Sequence, residues 1–147
     1  MEGNSVTFTV RAMTTDDFLA TMDVWKGSEG IGLTEDDTEG GISSFLERNP
    51  FMSAVAVAPS GEVLGAVLCG HDGRRGYLHH LAVNSLYRRQ GVASRLIAWC
   101  FSNLAAQGIR KCNILLLDNN TTGTAFWEHQ GWSHRNDLHV FQKPVTS

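Results

Sequence analysis

Arg88-Arg89-Gln90-Gly91-Val92-Ala93-Ser94 is the stretch of this 147-residue chain whose residue types and order could hold an anion. Main-chain N–H groups in the first turn of a helix have no intrahelical acceptor, and the positive end of the helix dipole lies there. A phosphate binds such a turn when the residue that opens it has no side chain in the way. Gly91 supplies that absence, Ala93 keeps the approach open, and Arg88 and Arg89 add fixed positive charge. This chemistry predicts a ligand carrying a pyrophosphate. The competing reading is an arginine-rich loop that only happens to end on a helix-start glycine. Other phosphate motifs fit badly. There is no Walker-type glycine-lysine loop, and Gly30-Ile31-Gly32 neither follows a strand nor reaches a third glycine.

The elements that must position this turn are legible from periodicity. Val6, Phe8 and Val10 alternate with polar residues and predict a first strand. Thr14 or Thr15 caps a helix with Asp16 and Asp17 in its first turn and Phe18, Leu19, Met22 and Trp25 as its apolar stripe. A glycine-rich loop follows over residues 27–32. A second helix is expected from about Glu35 to Arg48, with Ile42, Phe45 and Leu46 inward and Pro50 ending it. Strands are expected at 53–58, 63–69 and 77–83, separated by turns at Pro59-Ser60-Gly61 and Gly70 to Gly76. The helix opened by Gly91 runs to about Gln107, with Ala93, Leu96, Ile97, Cys100, Phe101 and Leu104 on one face. Residues 112–117 form a nearly continuous apolar run, as expected of a strand buried on both faces in a parallel pairing. Strand, helix and buried strand make a βαβ crossover. Asn120 caps a last helix that Gly131 stops, and a final strand is expected at 138–142.

Length and composition bound the class. Apolar residues make up 42% and charged residues 18%, which fits one globular domain over residues 1–147 and excludes disordered, collagen-like and coiled-coil chains. No apolar run is long enough to span a membrane, and the N-terminus lacks the basic-then-apolar pattern of a secretory leader, so a cytoplasmic protein is expected. Cys69, Cys100 and Cys112 are odd in number and have no CxxC spacing, which points to free thiols in a reducing compartment. Six histidines show no paired ligand spacing, so no metal is expected. The net charge of −3 argues against general nucleic-acid binding. That charge is split: residues 1–50 carry ten acids and three bases, net −7, and the remainder five acids and nine bases, net +4.

Arg88-x-x-Gly91-x-Ala93 resembles the Gln/Arg-x-x-Gly-x-Gly/Ala signature of the GNAT superfamily of N-acetyltransferases. Leu81-Ala82-Val83 precedes it and the amphipathic helix follows it as in that family. Downstream, Asn120, Phe126-Trp127 and Gly131-Trp132 resemble the family's last helix and its exit. Gly70 to Gly76 is similar to a connection found in small bacterial acetyltransferases of unassigned substrate. The resemblance covers the chain from Val6 to Lys143. It implies an α+β fold: a mixed, mostly antiparallel twisted sheet flanked by about four helices, with the crossover at the cofactor cleft. It further implies acetyl-CoA as co-substrate and a primary amine as acceptor, on a small molecule or on a protein. Dimers are common in the family, so a homodimer is implied as well.

By the same resemblance, main-chain groups of Leu81, Ala82 and Val83 pair with the pantetheine arm. The turn formed by Arg88, Arg89, Gln90, Gly91, Val92, Ala93 and Ser94 holds the pyrophosphate. Asn120 and Phe126 contact the pantetheine end. Strict alternation over 77–83 puts Tyr77, His79, Leu81 and Val83 on one face and Leu78, His80 and Ala82 on the other. His79 and Tyr77 occupy positions where some family members carry catalytic histidines before Leu-Ala-Val. His79 is chemically suited to take a proton from the amine; a half-exposed sheet histidine without a role is the other reading, and His80 is expected to be structural. Trp127 stands where the family's usual acid is a tyrosine, and an indole N–H does not ionise usefully. It either shapes the cleft or packs the core. This departure leaves a CoA-binding regulatory module as an alternative function, with a nucleotide-binding module behind it. Asp72, Arg74 and Arg75 are a solvated turn or a contact to an acceptor or partner subunit. The wall implied for the acceptor site carries Glu29, Glu35, Asp36, Asp37 and Glu39, which would attract a cationic amine; a solvated helix face is the other reading.

Overall fold

The computed structural model describes residues 6–146; residues 1–5, within the stretch read for a leader, and residue 147 lie outside the described residues. The chain divides into two compact units after Leu117. The first contains β1 (Thr9–Ala12), α1 (Phe18–Lys26), α2 (Glu39–Arg48), β2 (Ala54–Val57), β3 (Val63–His71), β4 (Gly76–Val83), α3 (Val92–Ala106) and β5 (Cys112–Ile114). The second contains α4 (Thr121–His129). Strands follow the order β1-β2-β3-β4-β5, antiparallel except for the parallel β4–β5 pair that α3 connects. The fold is α+β, with a mostly antiparallel sheet and four α-helices among the described residues.

Local chemistry sets the helix starts. Asp17 accepts from the Thr14 N–H at 2.9 Å and from both arms of the Arg11 guanidinium at 2.9 and 2.8 Å. Burial works against ionising this carboxyl, but the bonds from Arg11 and Thr14 outweigh it and hold its pKa below the ordinary carboxylate value. Because of that start, α1 buries Thr21, Val24 and Trp25, and Leu19 is 77% exposed instead of joining the stripe. Helix α2 begins at Glu39 rather than Glu35. Asp37 is drawn away to β4, and the Thr38 hydroxyl caps the helix by accepting from Gly41 N–H at 3.0 Å.

Alternation sorts the sheet into two faces. Met13, Val24, Trp25, Ile42, Val55, Ala66, Leu68 and Ala82 form the core under α1 and α2. Helix α3 covers the other face. A Cβ on Gly65 would lie 3.0 Å from the Ala82 carbonyl oxygen, 3.1 Å from Val92 and 3.2 Å from Leu96. Glycine there lets α3 seat closely against β3. Gly65→Val is expected to lower unfolding free energy by about 1–3 kcal/mol, through overpacking against a backbone oxygen that cannot yield. Urea denaturation measures this, and an unchanged midpoint would mean that α3 has room to shift.

Two strand expectations are corrected. The run 112–117 pairs only over Cys112–Ile114, which are half-buried, and Leu115, Leu116 and Leu117 are 62%, 38% and 50% exposed. Among the described residues β5 pairs with β4 alone, and Leu115 to Leu117 lie beyond that ladder. Residues 138–142 form no strand, and Leu138, Val140 and Phe141 are exposed. Their alternation suits a strand, but a strand needs a neighbouring ladder, and among the described residues none pairs with this segment.

Candidate active site

At the end of β4 the Asn84 side chain accepts from Leu86 N–H at 3.0 Å and turns the chain. Arg88 Nε donates to the Val83 carbonyl at 3.2 Å, tying the turn back to the strand it leaves. Arg89 at φ +64° and Gly91 at φ +83° are both left-handed, and Gly91 caps α3. The first main-chain bond of that helix runs from Arg95 N–H to the Gly91 carbonyl at 3.1 Å, so the amides of Val92 and Ala93 precede it. A Cβ placed on Gly91 meets nothing within 4 Å, so the space above these amides is open. Val92, 1% exposed, anchors the turn in the core, while Ala93 is half-buried and Ser94 exposed. Gln90 turns its side-chain oxygen to the Val6 N–H. An open left-handed cap on a 15-residue helix, flanked by two exposed arginines, fits a pyrophosphate.

Beside the turn, β4 outlasts its parallel partner. Pairing with β5 stops at Leu78–Ile114, so among the described residues no strand pairs with that edge of His79, His80, Leu81, Ala82 and Val83. An extended edge with unpaired amides and carbonyls is the template on which an amide-containing chain adds as a further strand.

The strand itself departs from strict alternation. Ala66 pairs with Ala82, and Leu68 pairs with His79, so β4 carries one residue more than β3 between these partners. His80, at φ +56°, takes up the extra length as a bulge. The face assignment made from alternation is therefore wrong from His80 onward. His79 and His80 both lie on the face of α1 and α2. The His80 ring meets Trp25 of α1 edge-on at 5.2 Å, and its Nε2 lies 3.0 Å from Asp37 Oδ1. The His79 ring meets Phe45 of α2 edge-on at 6.0 Å and lies parallel to Tyr77 at 6.2 Å.

His79 and Tyr77 open onto a cleft of about 290 Å³ that also takes in Phe45, Arg48, Asn49, Gly70, His71 and Asp72. Burial first, then the neighbouring His80, holds the His79 pKa below its ordinary 6.5, with Asp37 pulling the other way. At neutral pH its imidazole is uncharged and has a lone pair to offer. Asn49 Oδ1 accepts from His71 N–H at 3.1 Å. Asp72 Oδ1 accepts from the Arg74 and Arg75 amides, each at 2.8 Å, which closes the hairpin and holds the carboxyl below its usual range. Arg48, Asn49 and His71 were not singled out from the sequence. Only the Arg48-Asn49-Pro50 helix end and the Asp72-Gly73 turn marked their neighbourhood.

Neither Cys100 nor Cys112 is a ready nucleophile: a hydrogen bond with the Cys69 thiol and burial push the Cys100 thiol up, and burial pushes Cys112 up to about 12. In the second unit, Asn120 Oδ1 caps α4 by accepting from Gly123 N–H at 2.8 Å. Trp127 is 8% exposed and packs edge-on to Phe126 at 5.1 Å and Trp132 at 4.8 Å. These contacts give Trp127 a packing role within its own unit.

A model of the acetyltransferase (GNAT) family matches residues 18–132. An acetyltransferase of Sodalis glossinidius is 30% identical over 119 residues, covering 81% of this chain and 82% of that protein. Among solved structures, Ard1 from Thermoplasma volcanium matches with a TM-score of 0.74 at 22% identity, covering 86% of this chain and 82% of the other. A PaiA N-acetyltransferase from Thermoplasma acidophilum, in complex with coenzyme A, matches with a TM-score of 0.74 at 15% identity over 85% of this chain and 89% of that one. Both structural likenesses are likenesses of fold.

Proposed function

The chain belongs to the GNAT acetyltransferase family and is an acetyltransferase; from that premise we propose that it moves the acetyl group of acetyl-CoA to a primary amine by direct attack in a ternary complex. One observation carries the cofactor side: the unpaired edge of β4 runs into the open, left-handed Gly91 cap of α3. Acetyl-CoA supplies the activated thioester. Amides from Gln90 to Ser94, with Arg88 and Arg89, hold its pyrophosphate, and the main chain of Leu81 to Val83 aligns its amide-containing arm. Asn120 and Phe126 belong to this cofactor assignment by resemblance.

On the acceptor side, His79 takes the proton that an ammonium must lose before nitrogen can attack. Its lowered pKa supports this role, since a base must be unprotonated at the working pH. Tyr77 lies parallel to His79 and orients it. As the new C–N bond forms and the C–S bond breaks, the thiolate takes a proton from water, because Trp127 has no acidic group to give. The raised thiols of Cys100 and Cys112 favour direct attack over an acyl-cysteine relay. The free state of all three cysteines supports a cytoplasmic setting. No helix among the described residues is long and apolar enough to cross a membrane.

Exposed Glu29, Glu35, Asp36 and Glu39 favour cationic acceptors. Such amines are expected to react faster than neutral ones at low salt, with the advantage shrinking as ionic strength rises. A rate ratio independent of salt would reduce these acids to surface. Trp127 favours a second reading, a CoA-binding module with little transfer. Thermal-shift measurements with acetyl-CoA, CoA and ATP test the ligand. At a hundredfold excess over Kd a true ligand stabilises the fold by about 2.7 kcal/mol. The acetyltransferase reading expects this from acetyl-CoA and CoA and not from ATP.

A further inference from the structure

We infer that Asp37 and His80 are a positioning pair, which clamps the loop between α1 and α2 onto the bulge of β4 beside His79. The clamp rests on the coordinates alone; its consequence for the acceptor rests on the acetyltransferase reading above.

Three observations meet at these side chains. Asp37 uses its two oxygens in different directions. Oδ2 accepts from the Thr34 N–H at 2.8 Å and closes a turn within the loop. Oδ1 reaches His80 Nε2 at 3.0 Å, across 43 residues of sequence. Both side chains are shielded from water, at 10% and 17% exposure, so the bond is not the weak, screened pairing of an open surface. Finally, His80 is left-handed in a strand, a conformation that is unfavourable for a non-glycine residue and persists only when its surroundings impose it.

Glycine or asparagine would meet the backbone requirement of the bulge at lower cost. An imidazole here instead reaches the loop carboxylate with one ring nitrogen and packs edge-to-face with Trp25. The Nε2–Oδ1 contact holds the His80 ring against the loop. The loop fixed in this way carries the acids that favour a cationic amine, and the bulge places His79 on the same face. His79 lines the cleft together with Tyr77 from its own strand, Arg48 from α2 and His71 and Asp72 from the hairpin, and His80 and Asp37 both act on it electrostatically. Asp37 and His80 thus set where the acceptor sits relative to the base, and neither is itself a catalytic residue.

Three variants separate the clamp from the bulge. His80→Gly keeps the left-handed backbone and removes the imidazole. Asp37→Ala removes the acceptor, and Asp37→Asn keeps an oxygen that can accept from Nε2–H. Hydrogen exchange of loop amides 33–38 is read with acetyl-CoA affinity and with separate Michaelis constants for the two substrates. Expected for His80→Gly and Asp37→Ala are roughly tenfold faster loop exchange and roughly tenfold higher acceptor KM, with acetyl-CoA affinity within about twofold of the parent. Asp37→Asn restores most of both. Unchanged loop exchange in His80→Gly would overturn the clamp. Faster exchange with unchanged acceptor KM would overturn its positioning role. If the parent acetylates no amine at all, the acetyltransferase reading fails, and loop exchange still decides the clamp.

Discussion

Gly91→Glu is expected to abolish measurable acetyl-CoA binding while the chain stays folded. A side chain at this position meets no protein atom within 4 Å, so the substitution fills the ligand's space and clashes with nothing in the core. Its folding cost is the left-handed strain at φ +83°, about 1–2 kcal/mol. Its binding cost is larger. A carboxylate about 4 Å from a phosphate oxygen is repelled by about 4 kcal/mol at an effective dielectric of 20. Solvent at this exposed turn weakens that repulsion, which leaves a loss of at least about a hundredfold in affinity. Gly91→Asn is the control, because asparagine tolerates the left-handed conformation and brings no charge. Calorimetric titration of both variants reads the difference. Parental affinity in Gly91→Glu would remove the pyrophosphate from this turn.

His79→Ala is expected to lower kcat/KM for the acceptor by about 10²- to 10⁴-fold near neutral pH, the usual range for a lost general base. The dependence on pH is the sharper test. In the parent, activity falls as pH drops through the His79 pKa, which burial holds below 6.5. Without His79 the rate tracks the small unprotonated fraction of the amine and climbs with pH, so the defect shrinks under alkaline conditions. Stability carries the same signature. Folding keeps the imidazole neutral, whereas the unfolded chain binds a proton near 6.5. The contribution is therefore complete above that pH and lost as pH falls towards the folded-state pKa. His79→Ala flattens this part of the stability curve. A variant with the parental pH–rate profile would take His79 out of the mechanism.

The start of α3 could be read from the chain because its chemistry is local. A glycine between arginines and an amphipathic helix marks an open helix start in adjacent residues, and Gly91 does cap α3 with nothing within 4 Å of where a Cβ would lie. The order of strands and helices was legible for a similar reason, since each carries its own period. The faces of β4 were not. Alternation assumes an unbroken ladder, and nothing in Leu78-His79-His80-Leu81 marks the extra residue that brings both histidines to one side. The bulge shows only in the pairing of β4 with β3, and the Asp37 carboxylate that meets His80 lies 43 residues away. Leu115-Leu116-Leu117 misled in the opposite sense. Three leucines suggest a buried strand, yet pairing ends at Ile114. The cleft was legible through His79, Tyr77 and Asp72. Arg48, Asn49 and His71 join them because α2 ends above the hairpin, and tertiary packing alone produces that meeting.

Release of free CoA thiol from acetyl-CoA, followed against a panel of cationic, neutral and peptide primary amines, tests the central claim most directly. Thiol release that requires an amine, yields the acetylated amine in equal amount and vanishes in Gly91→Glu is the result predicted. Tight binding of acetyl-CoA with no amine of any class acetylated would contradict it and leave a CoA-binding module in its place.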